Sequence, residues 1–131
     1  MTLVVDATVV VAALVDSGPA GAWSETVLVS DALAAPHLMP VEVANILRRA
    51  EMTGDVTTEV ATLADGDLRR LRVDLLPYEP VAARAWELRF NVTMNDAWYV
   101  ALAESLDAPL ATLDARLGRS PGPRCDFLLP S

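Results

Sequence analysis

The stretch Leu3-Val4-Val5-Asp6-Ala7-Thr8-Val9-Val10-Val11-Ala12-Ala13-Leu14-Val15 decides the fold. Its first three residues are a short apolar run that stops abruptly at a carboxylate. The residues that follow are apolar on nearly every side. A short β-branched run reads as a strand, and a longer run that is apolar all round reads as a buried helix. The chain therefore opens with a strand–helix unit whose acid leaves the core at its rim. The same grammar returns late in the sequence, where Pro109-Leu110-Ala111-Thr112-Leu113 is a predicted strand that runs into Asp114.

Working outward, Ser17-Gly18-Pro19 breaks the chain before a predicted helix over 20–31, and 33–36 is a brief strand closed by Pro36. A helix follows over 41–52, with Pro40 at its first position and Gly54 as its stop. Residues 56–71 form another helix and 73–76 a strand ended by Pro77. Two more helices cover 81–90 and 97–106, the second entered through Asn95-Asp96. Segment 118–124 is a loop, and 127–129 adds an edge strand. Strands alternating with helices predict an α/β fold: a central, mostly parallel β-sheet flanked by helices. The length of 131 residues suits a single domain spanning 1–131.

Composition removes several kinds of chemistry. Hydrophobic residues make up 53% and charged residues 21%, enough apolar surface to order the chain. The basic residues number 10 and all are arginine. Without lysine, P-loop phosphate binding and Schiff-base chemistry are excluded. Cys125 and His37 stand alone, which excludes an internal disulfide, a Cys/His zinc site and a Ser-His-Asp triad. Runs such as 9–15 are too short for a membrane span of roughly 20 residues. The amino terminus has no basic leader, so the expected location is the cytoplasm. With 18 acidic residues and net charge −8, a broad basic face for nucleic acid is not expected. Chemistry here must run on carboxylates, hydroxyls and arginines.

Four acids stand at similar places. Asp6 and Asp114 end predicted strands, while Glu42 and Asp96 lie in the opening turns of helices. Each taken alone is accounted for as a helix cap or a first-turn acid. Together they say more. In a parallel sheet, ligands bind beyond the carboxyl ends of the strands near a switch in strand order. Acids gathered there repel one another unless a cation intervenes, and hard carboxylate oxygens suit Mg²⁺ or Mn²⁺. Thr8, Asn45 and Thr112 are nearby polar groups that can support such a site, although Thr8 and Asn95 also fit as helix caps. Trp23, Trp86, Trp98 and Tyr99 fit better as core or subunit-interface residues than as base-stacking ones.

At these residues the chain resembles the PIN-domain ribonucleases, and specifically the toxin components of VapBC toxin–antitoxin systems. The resemblance is carried by four stretches in family order. They are Val4-Val5-Asp6-Ala7-Thr8, Pro40-Val41-Glu42-Val43-Ala44-Asn45, Asn95-Asp96-Ala97-Trp98-Tyr99 and Leu110-Ala111-Thr112-Leu113-Asp114-Ala115-Arg116. It implies a three-layer fold and a metal-binding quartet of Asp6, Glu42, Asp96 and Asp114. It further implies an Mg²⁺- or Mn²⁺-dependent endoribonuclease, a homodimer with RNA as substrate and a small cognate antitoxin as partner. Arg48, Arg49 and Arg116 follow the acidic motifs and are the expected contacts to RNA or antitoxin. Ala115 and Arg116 stand where some relatives carry a further acid, which implies weaker holding of a second metal. Two other readings compete: a non-catalytic protein-binding module whose acids are only caps, and a PIN-type RNA-processing or DNA nuclease outside any toxin–antitoxin pair.

Overall fold

Leu3, Val4 and Val5 are 2%, 0% and 0% exposed. Successive strand side chains point to opposite faces, so burial of all three means that helices cover the sheet on both sides. A computed structural model describes residues 1–131. Its strands are β1 (Thr2–Val5), β2 (Ala32–Pro36), β3 (Asp74–Leu76), β4 (Leu110–Ala111) and β5 (Phe127–Leu128). They form one sheet in the order β3-β2-β1-β4-β5, and every pairing is parallel. The expected mostly parallel sheet is thus wholly parallel. Its helices are α1 (Ala7–Val15), α2 (Pro19–Ser30), α3 (Met39–Met52), α4 (Thr58–Arg70), α5 (Ala82–Glu87), α6 (Met94–Ser105) and α7 (Ala115–Gly118).

The strand order creates a crevice. From β1 the chain steps outward through β2 to β3, then returns to lay β4 along the other side of β1. The connections therefore diverge between β1 and β4, and a crevice opens beyond their carboxyl ends. Register sets Val5 opposite Ala111, so Asp6 and Thr112 leave the sheet side by side. The helix α6 packs across β1, β2 and β4. Its buried residues include Ala97, Ala101 and Ala103, whose small side chains let the helix lie close to the strands.

Several boundaries differ from expectation. The helix α3 starts at Met39, which puts Pro40 one residue inside its start. The helix α4 starts only at Thr58, because the Thr57 hydroxyl accepts from the Val60 amide (3.1 Å) and caps it. The predicted helix over 81–90 is a single 3₁₀ turn at Glu79–Val81 followed by α5, which ends at Glu87. Beyond it the chain closes in tighter turn bonds, from the Leu88 amide to the Ala85 carbonyl (3.1 Å) and from the Arg89 amide to the Trp86 carbonyl (3.2 Å), and the Arg89 side chain donates to that same carbonyl (2.8 Å). The predicted strand over 109–113 shortens to two residues, because Asp114 caps a short helix, α7, that follows it. Of the loop expected over 118–124, Gly118 closes α7 and 119–124 is a pinned loop. Arg84 holds Glu104 through Nε (2.7 Å) and Nη2 (3.2 Å), and donates to the Gly122 carbonyl (2.8 Å).

Gly21 shows how tightly α2 crosses the end of α1. A Cβ there would lie 1.8 Å from the Asp16 carbonyl oxygen. Gly21→Ala is expected to lower stability by at least about 2 kcal/mol in urea unfolding. Gly66→Ala is the control, since its nearest neighbour is the Arg70 guanidinium at 3.4 Å. That variant should gain about 0.5–1 kcal/mol from its helical position.

Candidate active site

Asp6 is 6% exposed at the end of β1. A carboxylate there needs donors, and the start of α1 supplies them. Its Oδ1 accepts from the Thr8 amide (3.0 Å), the Thr8 hydroxyl (2.5 Å) and the Val9 amide (3.3 Å). Asp6 is thus the N-cap of α1. Thr8 does not cap the helix, contrary to the sequence reading. Its hydroxyl donates to Asp6 and accepts from the Leu113 amide (3.1 Å), tying α1 to the segment beyond β4. Thr112 is fully buried, and its hydroxyl accepts from the Asp114 amide (3.0 Å).

Asp114 repeats the arrangement on the neighbouring strand. Its Oδ1 accepts from the Arg116 amide (3.0 Å) and the Leu117 amide (3.2 Å), which starts α7. In both aspartates the capping bonds fall on Oδ1, and Oδ2 carries none of them. Capping and ligand binding are therefore compatible roles for one carboxylate.

Asp96 and Glu42 are not caps. Thr93 caps α6 by accepting from the Asp96 amide (3.2 Å), so Asn95 does not have the capping role that the sequence suggested. Instead the Asn95 amide donates to Glu42 Oε2 (3.2 Å), and the Tyr99 hydroxyl donates to Oε1 (2.6 Å). Two donors on consecutive turns of α6 thus hold both oxygens of a carboxylate on α3. Burial of Tyr99 fits its core reading, but its hydroxyl serves the site; the signal in the sequence is its spacing, four residues after Asn95 and three after Asp96 on one helical face. Asn45 is exposed one turn after Glu42 and is not among the groups bonded to it.

The electrostatics follow from burial. Desolvation pushes the Asp6 carboxyl above an ordinary aspartate's range, against the lowering hydrogen bonds of Thr112, Thr8 and Val9. Asp96 is also raised, first by burial; Thr93 and Arg116 oppose this, and the neighbouring Asp114 charge adds to it. Tyr99 is held far above its usual value by burial, then by its bond to Glu42 and by the charges of Glu42 and Asp6. It therefore remains a donor. None of the four acids takes part in an ion pair.

The acids form a string rather than a closed cage. Asp96 and Asp114 line one cleft of about 590 Å³ together with Arg116. Tyr99 lies within the influence of both Glu42 and Asp6. No three His, Cys, Asp or Glu side chains surround a common point. The donor set nevertheless suits a hard cation, because Mg²⁺ keeps several waters and needs only one or two carboxylates. Of the arginines expected to contact RNA, Arg116 lines this cleft. Arg48 instead lines a separate recess between α3 and α4, and Arg49 is exposed on α3. Arg89, which no acidic motif marks, also lines the acidic cleft.

Fold and site together define an α/β protein with a carboxylate cluster at the switch point of a parallel sheet. The chain belongs to the PIN domain family, whose model matches residues 3–122. It is 41% identical over 127 residues to Ribonuclease VapC1 of Mycobacterium tuberculosis, covering 96% of each chain. It is 36% identical over 123 residues to Ribonuclease VapC9 of the same organism, covering 94% of each. Its fold is similar to that of VapBC2 from Rickettsia felis, solved bound to a promoter DNA fragment. The TM-score is 0.69 at 14% identity, and the match covers 98% of each chain.

The raised acids make a signed prediction for the metal-free protein. A carboxyl whose pKa is raised by folding binds more protons in the native state, so stability falls as pH climbs through the window between its unfolded and folded values. In chelator, Asp6→Asn keeps a capping oxygen and removes that cost. It should be more stable than the wild type at pH 7 in urea titrations. The gain should vanish below the ordinary aspartate range, where the wild-type carboxyl is protonated whether folded or not. An equal difference at every pH would mean that Asp6 is not held in the neutral-favouring environment described.

Proposed function

We propose that this chain is a divalent-metal-dependent endoribonuclease, the toxin half of a VapBC-type pair, with Asp6, Glu42, Asp96 and Asp114 as its catalytic and metal-holding acids. The observation that carries this reading is negative charge gathered without an ion pair. Two raised, partly or fully buried aspartates and two further acids line the switch-point edge, and no arginine pairs with any of them. Such charge is costly unless a cation neutralises it. Metal dependence is typical of the family. Capping accounts for Asp6 and Asp114, and the helix dipole favours Glu42 and Asp96 in the first turns of α3 and α6; neither accounts for Asp96 and Asp114 sharing one cleft, which weighs against a purely structural role in a binding module.

Asp96, Asp114 and Asp6 would hold Mg²⁺ or Mn²⁺, one or two of them directly and the others through its waters; the capping bonds of Asp6 and Asp114 fall on Oδ1 and leave Oδ2 clear of them. Bound there, the ion supplies Lewis-acid stabilisation of a phosphoryl oxygen and a more acidic water. The chain's own contribution is orientation. Thr8 fixes Asp6, and Thr112 fixes the turn that carries Asp114. Tyr99 and Asn95 aim Glu42, whose Oε2 has the longer bond and takes the proton from the attacking water. Arg116 steadies the charge that develops on the phosphodiester. Residues 1–131 act as one PIN-like domain in the cytoplasm, working as a homodimer and silenced by a small cognate antitoxin.

Digestion of RNA with Mg²⁺ or Mn²⁺, against chelator, tests this reading. Asp96→Asn and Asp114→Asn should lose cleavage by more than about a hundredfold, in line with removal of a metal ligand. Tyr99→Phe keeps the packing but frees Glu42, and should lower the rate by about 10–100-fold. Cleavage that persists in chelator, or in Asp96→Asn, would remove the acids from the mechanism.

A further inference from the structure

The cleft that holds Asp96 and Asp114 has a second wall of a different character. Arg89 and Phe90 line it. The Arg89 guanidinium lies 4.4 Å from the ring centroid of Trp86 and 4.4 Å from that of Phe90. Its bond to the Trp86 carbonyl fixes it there, and no carboxylate neutralises it. Trp86 is 58% exposed and Phe90 83%. The other two tryptophans and Tyr99 are at least half-buried. Arg89 and Phe90 therefore stand in the cleft wall beside the acids, and the exposed Trp86 ring adjoins them across the unpaired guanidinium.

Resting on the nuclease reading above, we propose that Trp86, Arg89 and Phe90 form a stacking platform. It seats an unpaired nucleobase of single-stranded RNA at the mouth of the acidic cleft. Aromatic rings and guanidinium planes are the surfaces on which proteins stack bases that have left a helix. Duplex bases are already stacked on one another and do not reach such a surface. Charge favours the same assignment. An acidic cleft repels a polyanion, and Arg89 and Arg116 are the cations that line its walls. A base seated on the platform holds the adjoining phosphodiester beside Arg116 and the acids, so the platform fixes which phosphodiester is presented.

The test uses the whole chain and two readouts. In chelator, where no turnover occurs, a short single-stranded oligouridylate should quench tryptophan fluorescence, and Trp86→Phe should remove that quench. With Mg²⁺ or Mn²⁺, Phe90→Ala should raise KM for single-stranded RNA by about tenfold, the loss appearing in KM rather than kcat. Phe90→Tyr should restore it, and Arg89→Lys, which keeps the charge but loses the plane, should not match the wild type. Both rings are exposed, so the melting temperature serves as a folding control. A wild-type KM in Phe90→Ala would overturn the platform and leave the nuclease reading standing. A wild type that cuts no RNA would instead sink the nuclease reading, and absence of quenching in chelator would then reject the platform independently. A raised KM that tracks dissociation of a dimer in sedimentation would assign these rings to a contact between copies and also overturn the proposal.

Discussion

A carboxylate at the end of a buried strand has nowhere to go except the rim, and Asp6 is solvated there by protein rather than by water. Its Oδ1 takes the first free amides of α1 and the Thr8 hydroxyl, so one group both starts a helix and ends a strand. That hydroxyl also receives the Leu113 amide, and the Asp6 amide donates to the Ala111 carbonyl (3.1 Å). The two strands on either side of the switch point are thereby locked in step where their acids emerge. If this solvation were lost, a charge would be left in the core rim without partners, at a cost of several kcal/mol.

The charge balance acquires a geography. Arg69 and Arg70 pair with Asp65 and Asp67 along α4, and Arg84 is committed to Glu87 and Glu104. Burial pushes the Glu104 carboxyl up, but the bonds from Arg84 and the Arg124 amide outweigh it, and the net shift is downward. These arginines serve the fold. Arg89 and Arg116 are outside every ion pair and line the cleft. The net charge of −8 excludes a broad basic face, yet it leaves room for two placed cations beside the acids.

What the sequence made legible was local. The run from Leu3 to Asp6, the stop at Gly54 and the alternation of strands with helices all follow from periodicity and from breaker residues. Gly54 does adopt a left-handed conformation, with φ 82°. What it hid depended on partners distant in the chain. Asn95 looked like a cap because its type suits one, but Thr93 lies nearer the helix start and takes that role, which frees Asn95 for Glu42. Tyr99 looked like core because it is buried, and it is. Its hydroxyl, however, must find an acceptor, and the acceptor lies 57 residues away. The early end of α5 lies in turn bonds from the Leu88 and Arg89 amides to the Ala85 and Trp86 carbonyls, which no hydrophobic pattern records.

The helix α6 carries Asp96, Asn95 and Tyr99 in its first turns and Glu104 in its last, where Glu104 anchors Arg84 and the 118–124 loop. Its buried alanines let it lie against β1, β2 and β4. One helix therefore serves the acids at its start and the loop at its end, and Ser120 of that loop lines the same cleft as Asp96 and Asp114. The wall of the cleft and the acids within it thus take their places from a single packed surface.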